Sequence, residues 1–152
     1  MSGMEPQSVL FMCTLNAVRS PIAEGLARRA LGRGIFVASA GIVKAPADHF
    51  AISVMHEIGI DISEHCSRTV EETDCASFDL IVALSREAAA AARARTRGCA
   101  TEVEAWDVPE ISGAGETRSQ KLEAYRGLRD SLGHRIEARF AARLGAPGNV
   151  RR

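Results

Sequence analysis

The sequence has few aromatic residues, no excess of charge of either sign and no closely spaced pair of cysteines. Aromatic side chains make up 5% of the 152 residues, with one Trp and one Tyr, so the core must be built mainly from Ala, Val, Leu and Ile. The 19 basic and 19 acidic residues leave a formal net charge of zero. Such a chain has no bulk attraction for nucleic acid or for an acidic membrane surface, and any anion it binds must therefore be held by a local site.

The four cysteines show no C-x-x-C spacing, and a chain of this length does not need disulfides to be stable. We therefore expect reduced thiols and a cytoplasmic protein, with Cys66 and Cys75 as small buried residues. No apolar run approaches the length of a membrane span, and residues 1–8 lack the basic start and apolar stretch of a signal peptide. Membrane insertion and secretion are not expected.

Short apolar segments alternate with amphipathic ones along the chain. Strands are predicted at residues 8–12, 35–40, 79–84 and 101–106, of which the last is the most polar. Helices are predicted at residues 21–31 with Ser20 as the N-cap, and at 47–58, 85–97 and 119–144. This order predicts one α/β domain over residues 1–152, ordered from about 8 to 144, with three layers: a four-stranded, mostly parallel sheet covered by helices on both faces.

The loop between the first strand and the first helix is best suited to chemistry, because ligands of parallel sheets bind beyond the carboxyl ends of the strands. It begins at Cys13 and reaches Arg19 after five further residues. Backbone N–H groups in a tight loop, together with the positive end of the helix, would form a cradle for a phosphate-type oxyanion. Arg19 could hold two of its oxygens, and the same surroundings favour the nucleophilic thiolate of Cys13. The residues of the cradle are Thr14, Leu15, Asn16, Ala17, Val18 and Arg19.

Residues 9–24, VLFMCTLNAVRSPIAE, resemble the opening of the low-molecular-weight protein tyrosine phosphatases and of the related thioredoxin-coupled arsenate reductases. Further segments resemble these proteins in the same order: SAG at 39–41, PAD at 46–48, GIDISEH at 59–65 and FDLIV at 78–82. The resemblance implies a phosphatase-like fold and hydrolysis of a phosphate monoester through a phosphocysteine on Cys13, without a metal or other cofactor. The implied substrate is a phosphorylated protein or a small phosphomonoester.

The resemblance also implies roles for the residues around the nucleophile. Arg19 would clamp the phosphate, and Asn16 would brace the loop through hydrogen bonds to its backbone. Ser20 would donate to the thiolate and favour its departure from the covalent intermediate. His65 would lie near Asn16 without touching the substrate, and Ser39 is expected to be structural in the same surroundings.

Two residues are candidates for the general acid. The family places an Asp-Pro pair in the loop after the fourth strand, where this chain reads WDVPEI at 106–111. Counted from Trp106, Glu110 takes the position of the Asp and Ile111 that of the Pro. Glu110 could protonate the leaving oxygen and then activate water. Asp107, three residues earlier, is the alternative.

Two departures from the family keep other functions open. Ser112–Gly115 stands where tyrosine phosphatases carry aromatic residues, and the only tyrosine, Tyr125, belongs to the core face of the last predicted helix, so a preference for phosphotyrosine is not predicted. Ser85 stands where arsenate reductases need a resolving cysteine, which disfavours arsenate reduction as an alternative. The missing Asp-Pro pair leaves a non-catalytic, oxyanion-binding regulatory module as another. No oligomeric state is predicted.

Overall fold

Four short strands form one sheet in which every pairing is parallel. A computed structural model describes residues 5–144 and places the strands in the order β2-β1-β3-β4. Their ranges are β1 Ser8–Cys13, β2 Phe36–Gly41, β3 Leu80–Ala83 and β4 Glu102–Ala105. β1 lies between β2 and β3, and β3 also pairs with β4. Parallel neighbours need crossover connections, which the helices supply.

Helices cover both faces of this sheet, as the sequence predicts. The helices are α1 Arg19–Leu31, α2 His49–His56, α3 Arg86–Arg95, α4 Arg118–Arg139 and α5 Ala141–Leu144. Val9 and Phe11 of β1 belong to a buried cluster with α1, α2 and α4, whereas Leu10 and Met12 belong to a second cluster with α3. Because side chains alternate along a strand, one buried strand serves both layers.

Beyond shifts of one or two residues at the helix ends, two features of the helices differ from the prediction. α1 begins at Arg19, and Ser20 is not its N-cap, because the Ser20 hydroxyl contacts Cys13 instead. The residues predicted as one helix over 119–144 divide at Phe140, which lies between α4 and α5. Phe140 is fully buried, and its apolar side chain continues the helical pattern. The spacing of apolar residues along 119–144 therefore does not reveal that the helix divides at Phe140.

The cysteines are all free, and two of them lie in the core. Cys13 and Cys75 are buried, whereas Cys66 and Cys99 are exposed. The prediction is right for Cys75 and wrong for Cys66, whose segment runs along the surface of the domain. Within residues 5–144, no helix combines the length and apolar character needed to cross a lipid bilayer.

The β1–α1 loop lies where the strand order reverses. The chain passes from β1 to β2 on one side and later returns to β3 on the other side of β1. At such a switch point the two crossover connections leave in opposite directions and open a crevice beyond the strand ends. Cys13, the last residue of β1, stands at this crevice.

Candidate active site

Cys13 is buried at the end of β1, and its sulfur is surrounded by hydrogen-bond donors. The Sγ atom lies 2.8 Å from the Oγ of Ser20 and accepts from the N–H of Asn16 at 3.2 Å. The Ser20 hydroxyl already accepts from Asn16 Nδ2 at 2.8 Å, so its own proton is available to the sulfur. Two hydrogen-bond donors therefore face the sulfur.

The loop after Cys13 turns its carbonyls outward and leaves amides unbonded. The carbonyls of Thr14 and Ala17 accept from backbone N–H groups of the segment that follows β2, at 3.0 and 3.1 Å. Within residues 5–144, no protein acceptor binds the N–H of Leu15, Ala17 or Val18. Successive free amides at a helix N-terminus form an anion-binding nest. These unbonded amides lie in the loop for which the sequence predicts an oxyanion cradle.

Asn16 holds this loop in an unusual conformation. Its φ of 51° lies in the left-handed region, which few residues other than glycine adopt. Its buried amide uses both donors and both acceptor positions: Nδ2 donates to Ser20 Oγ and to Ser39 Oγ at 3.0 Å, and Oδ1 accepts from the Arg68 N–H at 3.0 Å. His65 Nε2 lies 3.1 Å from the same Oδ1 and is therefore the donor in that contact.

Gly41 allows this loop to lie against the end of β2. A Cβ atom at position 41 would stand 2.7 Å from the Asn16 nitrogen and 2.8 Å from the Asn16 Cβ. We expect Gly41→Ala to displace the loop and weaken the binding of inorganic phosphate about tenfold or more, because small displacements of a preorganised site are costly. Competitive inhibition by phosphate measures this effect. Gly133→Ala, where a Cβ would meet nothing within 4 Å, is the control, and unchanged phosphate affinity in Gly41→Ala would contradict the expectation.

Arg19 joins three parts of the site. Its side chain is buried, and Nη1 donates to the carbonyls of Leu84 at 3.2 Å and Val108 at 3.1 Å. Its Nη2 lies 3.6 Å from the Oε2 of Glu110. With Nη1 occupied by two carbonyls, Nε and Nη2 remain to bind two oxygens of a tetrahedral anion.

Arg19→Lys is expected to lower the rate of phosphate-monoester hydrolysis at least about tenfold, because lysine keeps the charge and loses the planar two-point contact. Lysine also cannot hold the Leu84 and Val108 carbonyls while it binds the anion. The measurement is kcat/KM for p-nitrophenyl phosphate. Arg29→Lys, on the exposed side of the same helix, is the control. An unchanged kcat/KM in Arg19→Lys would make Arg19 a structural residue.

Glu110 lies in the cavity of the nucleophile, and Asp107 does not. A cavity of about 210 Å³ is lined by Cys13, Arg19, Glu110 and seven further residues: Leu15, Ala17, Val18, Ala45, Pro46, Asp48 and Ser112. In the described part of the chain, Asp107 lines a different cavity, which faces α4. Burial raises the pKa of Glu110, but the N–H and hydroxyl of Ser112 and the charge of Arg19 lower the pKa more, and its net direction is downward. The unliganded site therefore holds Glu110 as a carboxylate at neutral pH.

Behind the loop lies a buried carboxylate that sequence reasoning missed. Glu24 accepts from the Ser39 hydroxyl at 2.5 Å, pairs with Arg28 at 2.6 Å and lies 3.7 Å from His65 Nδ1. Burial lowers the pKa of His65, and the charge of Glu24 opposes that shift. The available signal was the spacing of four residues that places Glu24 on the same helix face as Ser20.

Asp48 fixes the start of α2 beside the cavity. Its Oδ1 accepts from the N–H groups of Phe50 at 2.8 Å and Ala51 at 3.2 Å, and its Oδ2 accepts from the hydroxyl of Tyr125 at 3.1 Å. Tyr125 is buried, as its periodicity predicts, and burial together with Asp48 raises its pKa. It therefore remains a donor at physiological pH. Within residues 5–144, no cluster of three or more His, Cys, Asp or Glu side chains is arranged to hold a metal ion.

These features agree with a comparison to known proteins. The family model of the low molecular weight phosphotyrosine protein phosphatases matches residues 8–131. The chain belongs to this family. Within it, an arsenate reductase of Halalkalibacterium halodurans is 35% identical over 134 residues, which is 88% of this chain and 95% of that protein. An arsenate reductase of Bacillus subtilis is 32% identical over the same shares of both chains.

Solved structures of low-molecular-weight phosphatase relatives show the same fold. An arsenate reductase in a phosphate-binding state is 29% identical, with a TM-score of 0.69 over 90% of this chain and 98% of its own. The tyrosine phosphatase of Erwinia amylovora, at 21% identity, shows the fold alone, with a TM-score of 0.74 over 93% of this chain and 96% of its own. The predicted family and fold are confirmed, and the chain is an enzyme of the low-molecular-weight phosphatase family.

Proposed function

We propose that this enzyme hydrolyses phosphate monoesters through a phosphocysteine intermediate on Cys13. One observation carries the proposal: the Cys13 thiol, the Arg19 guanidinium and the Glu110 carboxylate line one cavity beside a loop of unbonded amides. A nucleophile, a clamp for equatorial oxygens and a proton donor are the three parts that such a transfer needs.

In the first step, the Cys13 sulfur attacks phosphorus while the bond from phosphorus to the ester oxygen breaks. Glu110 gives its proton to that oxygen, and an alcohol leaves. The bound phosphoryl group raises the pKa of the nearby carboxyl, because two negative groups in one cavity disfavour each other. A substrate that binds as a monoanion supplies the proton that Glu110 then transfers.

In the second step, water attacks phosphorus while Glu110 takes up its proton, and the bond between sulfur and phosphorus breaks. The Ser20 hydroxyl and the Asn16 N–H, at 2.8 and 3.2 Å from the sulfur, stabilise the departing thiolate. Inorganic phosphate and the starting enzyme result, so the cycle needs no electron donor. Arg19 and the loop amides hold the equatorial oxygens throughout.

We infer that the substrate need not carry an aromatic ring. The apolar lining of the cavity is small and aliphatic, with Leu15, Ala17, Val18, Ala45 and Pro46, and none of its lining residues within the described chain is aromatic. A phenyl ring would find no stacking partner there. A phosphorylated protein side chain or a small alkyl phosphate suits this lining at least as well as phosphotyrosine.

A rapid-quench assay with p-nitrophenyl phosphate tests the proposal. We expect a burst of p-nitrophenol equal to the enzyme concentration and a phosphoryl group on the peptide that contains Cys13. Inorganic phosphate should protect Cys13 from alkylation, whereas the exposed Cys66 and Cys99 should react regardless of phosphate. Phosphate protection without any burst or turnover would overturn the proposal and support the non-catalytic module.

Arsenate reduction is the second candidate, because the relatives described above are named arsenate reductases. Arsenate is a tetrahedral oxyanion, and the same loop would accept it. Its reduction to arsenite needs two electrons, which Cys13 and a second thiol would supply together. Ser85 has no thiol: its hydroxyl caps α3 at the Ala88 N–H, at 3.1 Å, and contacts the Thr14 hydroxyl at 3.1 Å. Position 85 therefore cannot supply the second thiol, which would have to come from another cysteine or from an external thiol.

Thioredoxin-coupled arsenate reduction is therefore expected to be absent or very slow. Cys75 is buried in the cluster on the α3 face of the sheet, whereas Cys13 belongs to the cluster on the opposite face, so Cys75 is poorly placed to resolve an adduct on Cys13. The measurement is NADPH oxidation with thioredoxin and its reductase on addition of arsenate, with and without glutathione. Steady thioredoxin-dependent oxidation would contradict this expectation, and Cys→Ser variants at positions 66, 75 and 99 would then identify the second thiol.

A further inference from the structure

The loop that carries Glu110 has little backbone support of its own. Its N-terminal end is fixed by the Trp106 N–H, which donates to the Ala83 carbonyl at 2.8 Å. From residue 107 to residue 110, no backbone-to-backbone hydrogen bond is found within residues 5–144. Its backbone carbonyls are held by two arginines: Arg135 Nη1 donates to the Asp107 carbonyl at 3.3 Å, and Arg19 Nη1 donates to the Val108 carbonyl. The Glu110 side chain, at the end of this stretch, accepts from the Ser112 N–H at 2.9 Å.

Arg135 reaches the loop from α4 and is itself held in place. Its guanidinium lies 4.9 Å from the centre of the Trp106 ring, within the range of a cation–π contact. Trp106 is buried, packs edge-to-face against Phe11 and donates from Nε1 to Glu104 at 3.3 Å. Arg135 therefore connects the buried Trp106 indole to the Asp107 carbonyl, the first carbonyl of the loop that carries Glu110.

The loop has free space on its α4 side, so the contact between Arg135 and the Asp107 carbonyl can decide where the loop lies. A cavity of about 140 Å³ separates the loop from α4, and small residues of the helix, Gly127 and Ser131, line it together with Asp107, Ile111 and Arg135. A loop released from Arg135 has room to settle toward α4. Because backbone direction decides which side chain faces the nucleophile, such a shift would move Glu110 away from Cys13 and Arg19.

We propose that Arg135 is a positioning residue for the general acid, which sets the course of residues 107–110 so that Glu110 faces the phosphoryl site and Asp107 does not. The proposal rests on the proposed phosphate-monoester hydrolysis and names a residue that acts through Glu110 without touching the substrate. Arg135 and Arg19 hold consecutive carbonyls from opposite sides of the loop, one from the last long helix and one from the oxyanion cradle.

Arg135→Met, which keeps the bulk of the side chain and removes its donors, tests the proposal. We expect kcat for an alkyl phosphate to fall about tenfold, because protonation of its poor leaving group is impaired. The kcat for p-nitrophenyl phosphate should change less than about twofold, because its leaving group needs no proton. Inhibition by inorganic phosphate should also change less than about twofold. Arg135→Lys should recover part of the loss. Arg126→Met is the matched control, since Arg126 lies on the same helix and pairs with Glu57 at 2.8 Å, with no contact to the loop or to Trp106 in the described part of the chain.

A double-mutant cycle decides between positioning and general damage. If Arg135 acts through Glu110, Arg135→Met should have no further effect on alkyl phosphate turnover in a Glu110→Gln background. Equal losses for both substrates, additive losses in the double variant, or no loss in Arg135→Met would each overturn the proposal. Because wild-type turnover of both substrates is measured in the same series, failure of the proposed hydrolysis would be seen in the wild type, independently of Arg135. Thermal unfolding checks that each variant is folded, and Arg135→Lys takes the place of Arg135→Met in the cycle if the latter is unstable.

Discussion

Cys13→Ser is expected to abolish hydrolysis of phosphate monoesters, with a loss of more than about a thousandfold in kcat and no burst. A serine hydroxyl at this position remains protonated at neutral pH and is a poor nucleophile toward phosphorus, even with the Ser20 and Asn16 contacts in place. The cradle should keep its form, because within residues 5–144 the unbonded amides of Leu15, Ala17 and Val18 make no contact with the sulfur and the serine Oγ can still accept from the Asn16 N–H. We therefore expect inorganic phosphate to bind with an affinity within about threefold of wild type.

Two measurements separate loss of chemistry from loss of structure in this variant. Isothermal titration with phosphate measures the affinity of the cradle for the anion. A rapid-quench assay with p-nitrophenyl phosphate measures whether residue 13 still forms the covalent intermediate. Cys75→Ser is the matched control: Cys75 is also buried, but burial raises the pKa of its thiol and it belongs to the cluster on the opposite face of the sheet. Substantial turnover in Cys13→Ser would show that Cys13 is not the nucleophile.

The parts of the site that could be predicted from sequence are those that local order determines. A buried strand, a tight loop and a helix are consecutive in the chain, so the position of Cys13 and the direction of the loop amides follow from the order of elements. The position of Arg19 follows for the same reason, since it is the first residue of the helix. The fold class is similarly accessible, because apolar segments alternate with amphipathic ones over the whole domain.

What sequence reasoning could not predict depends on contacts between distant residues. Ser20 fits two roles equally well, as a helix cap or as a partner of the sulfur, and only the packed loop decides for the sulfur. Glu24, on α1, becomes part of the site through Ser39, which lies on β2, 15 residues away in sequence. The choice between Glu110 and Asp107 depends on contacts of the loop with Arg19 and Arg135, which lie 89 and 28 residues away from their partners.

Glu110→Gln is expected to slow hydrolysis of an alkyl phosphate about a hundredfold, while hydrolysis of p-nitrophenyl phosphate changes less than about threefold. The departing oxygen of an alkyl phosphate must be protonated as the bond breaks, whereas p-nitrophenolate leaves without a proton. Glutamine preserves the shape of the side chain and cannot donate a carboxyl proton. In the wild type, kcat for the alkyl phosphate should fall as pH rises through the pKa of Glu110 in the enzyme–substrate complex, because the protonated form is lost. That alkaline limb should be missing in Glu110→Gln.

Asp107→Asn is the matched control, because it makes the same chemical change three residues earlier in the same loop. In the structure, Asp107 lines the cavity toward α4 and not that of Cys13, and its carbonyl is held by Arg135, so neither leaving-group sensitivity nor a change in the pH profile is expected. Sensitivity that appears in Asp107→Asn and is absent from Glu110→Gln would transfer the acid role to Asp107. It would also mean that the loop changes course when substrate binds. If neither variant shows leaving-group sensitivity, the loop carries no general acid. Turnover would then depend on Cys13 and Arg19 acting on substrates whose leaving groups need no proton.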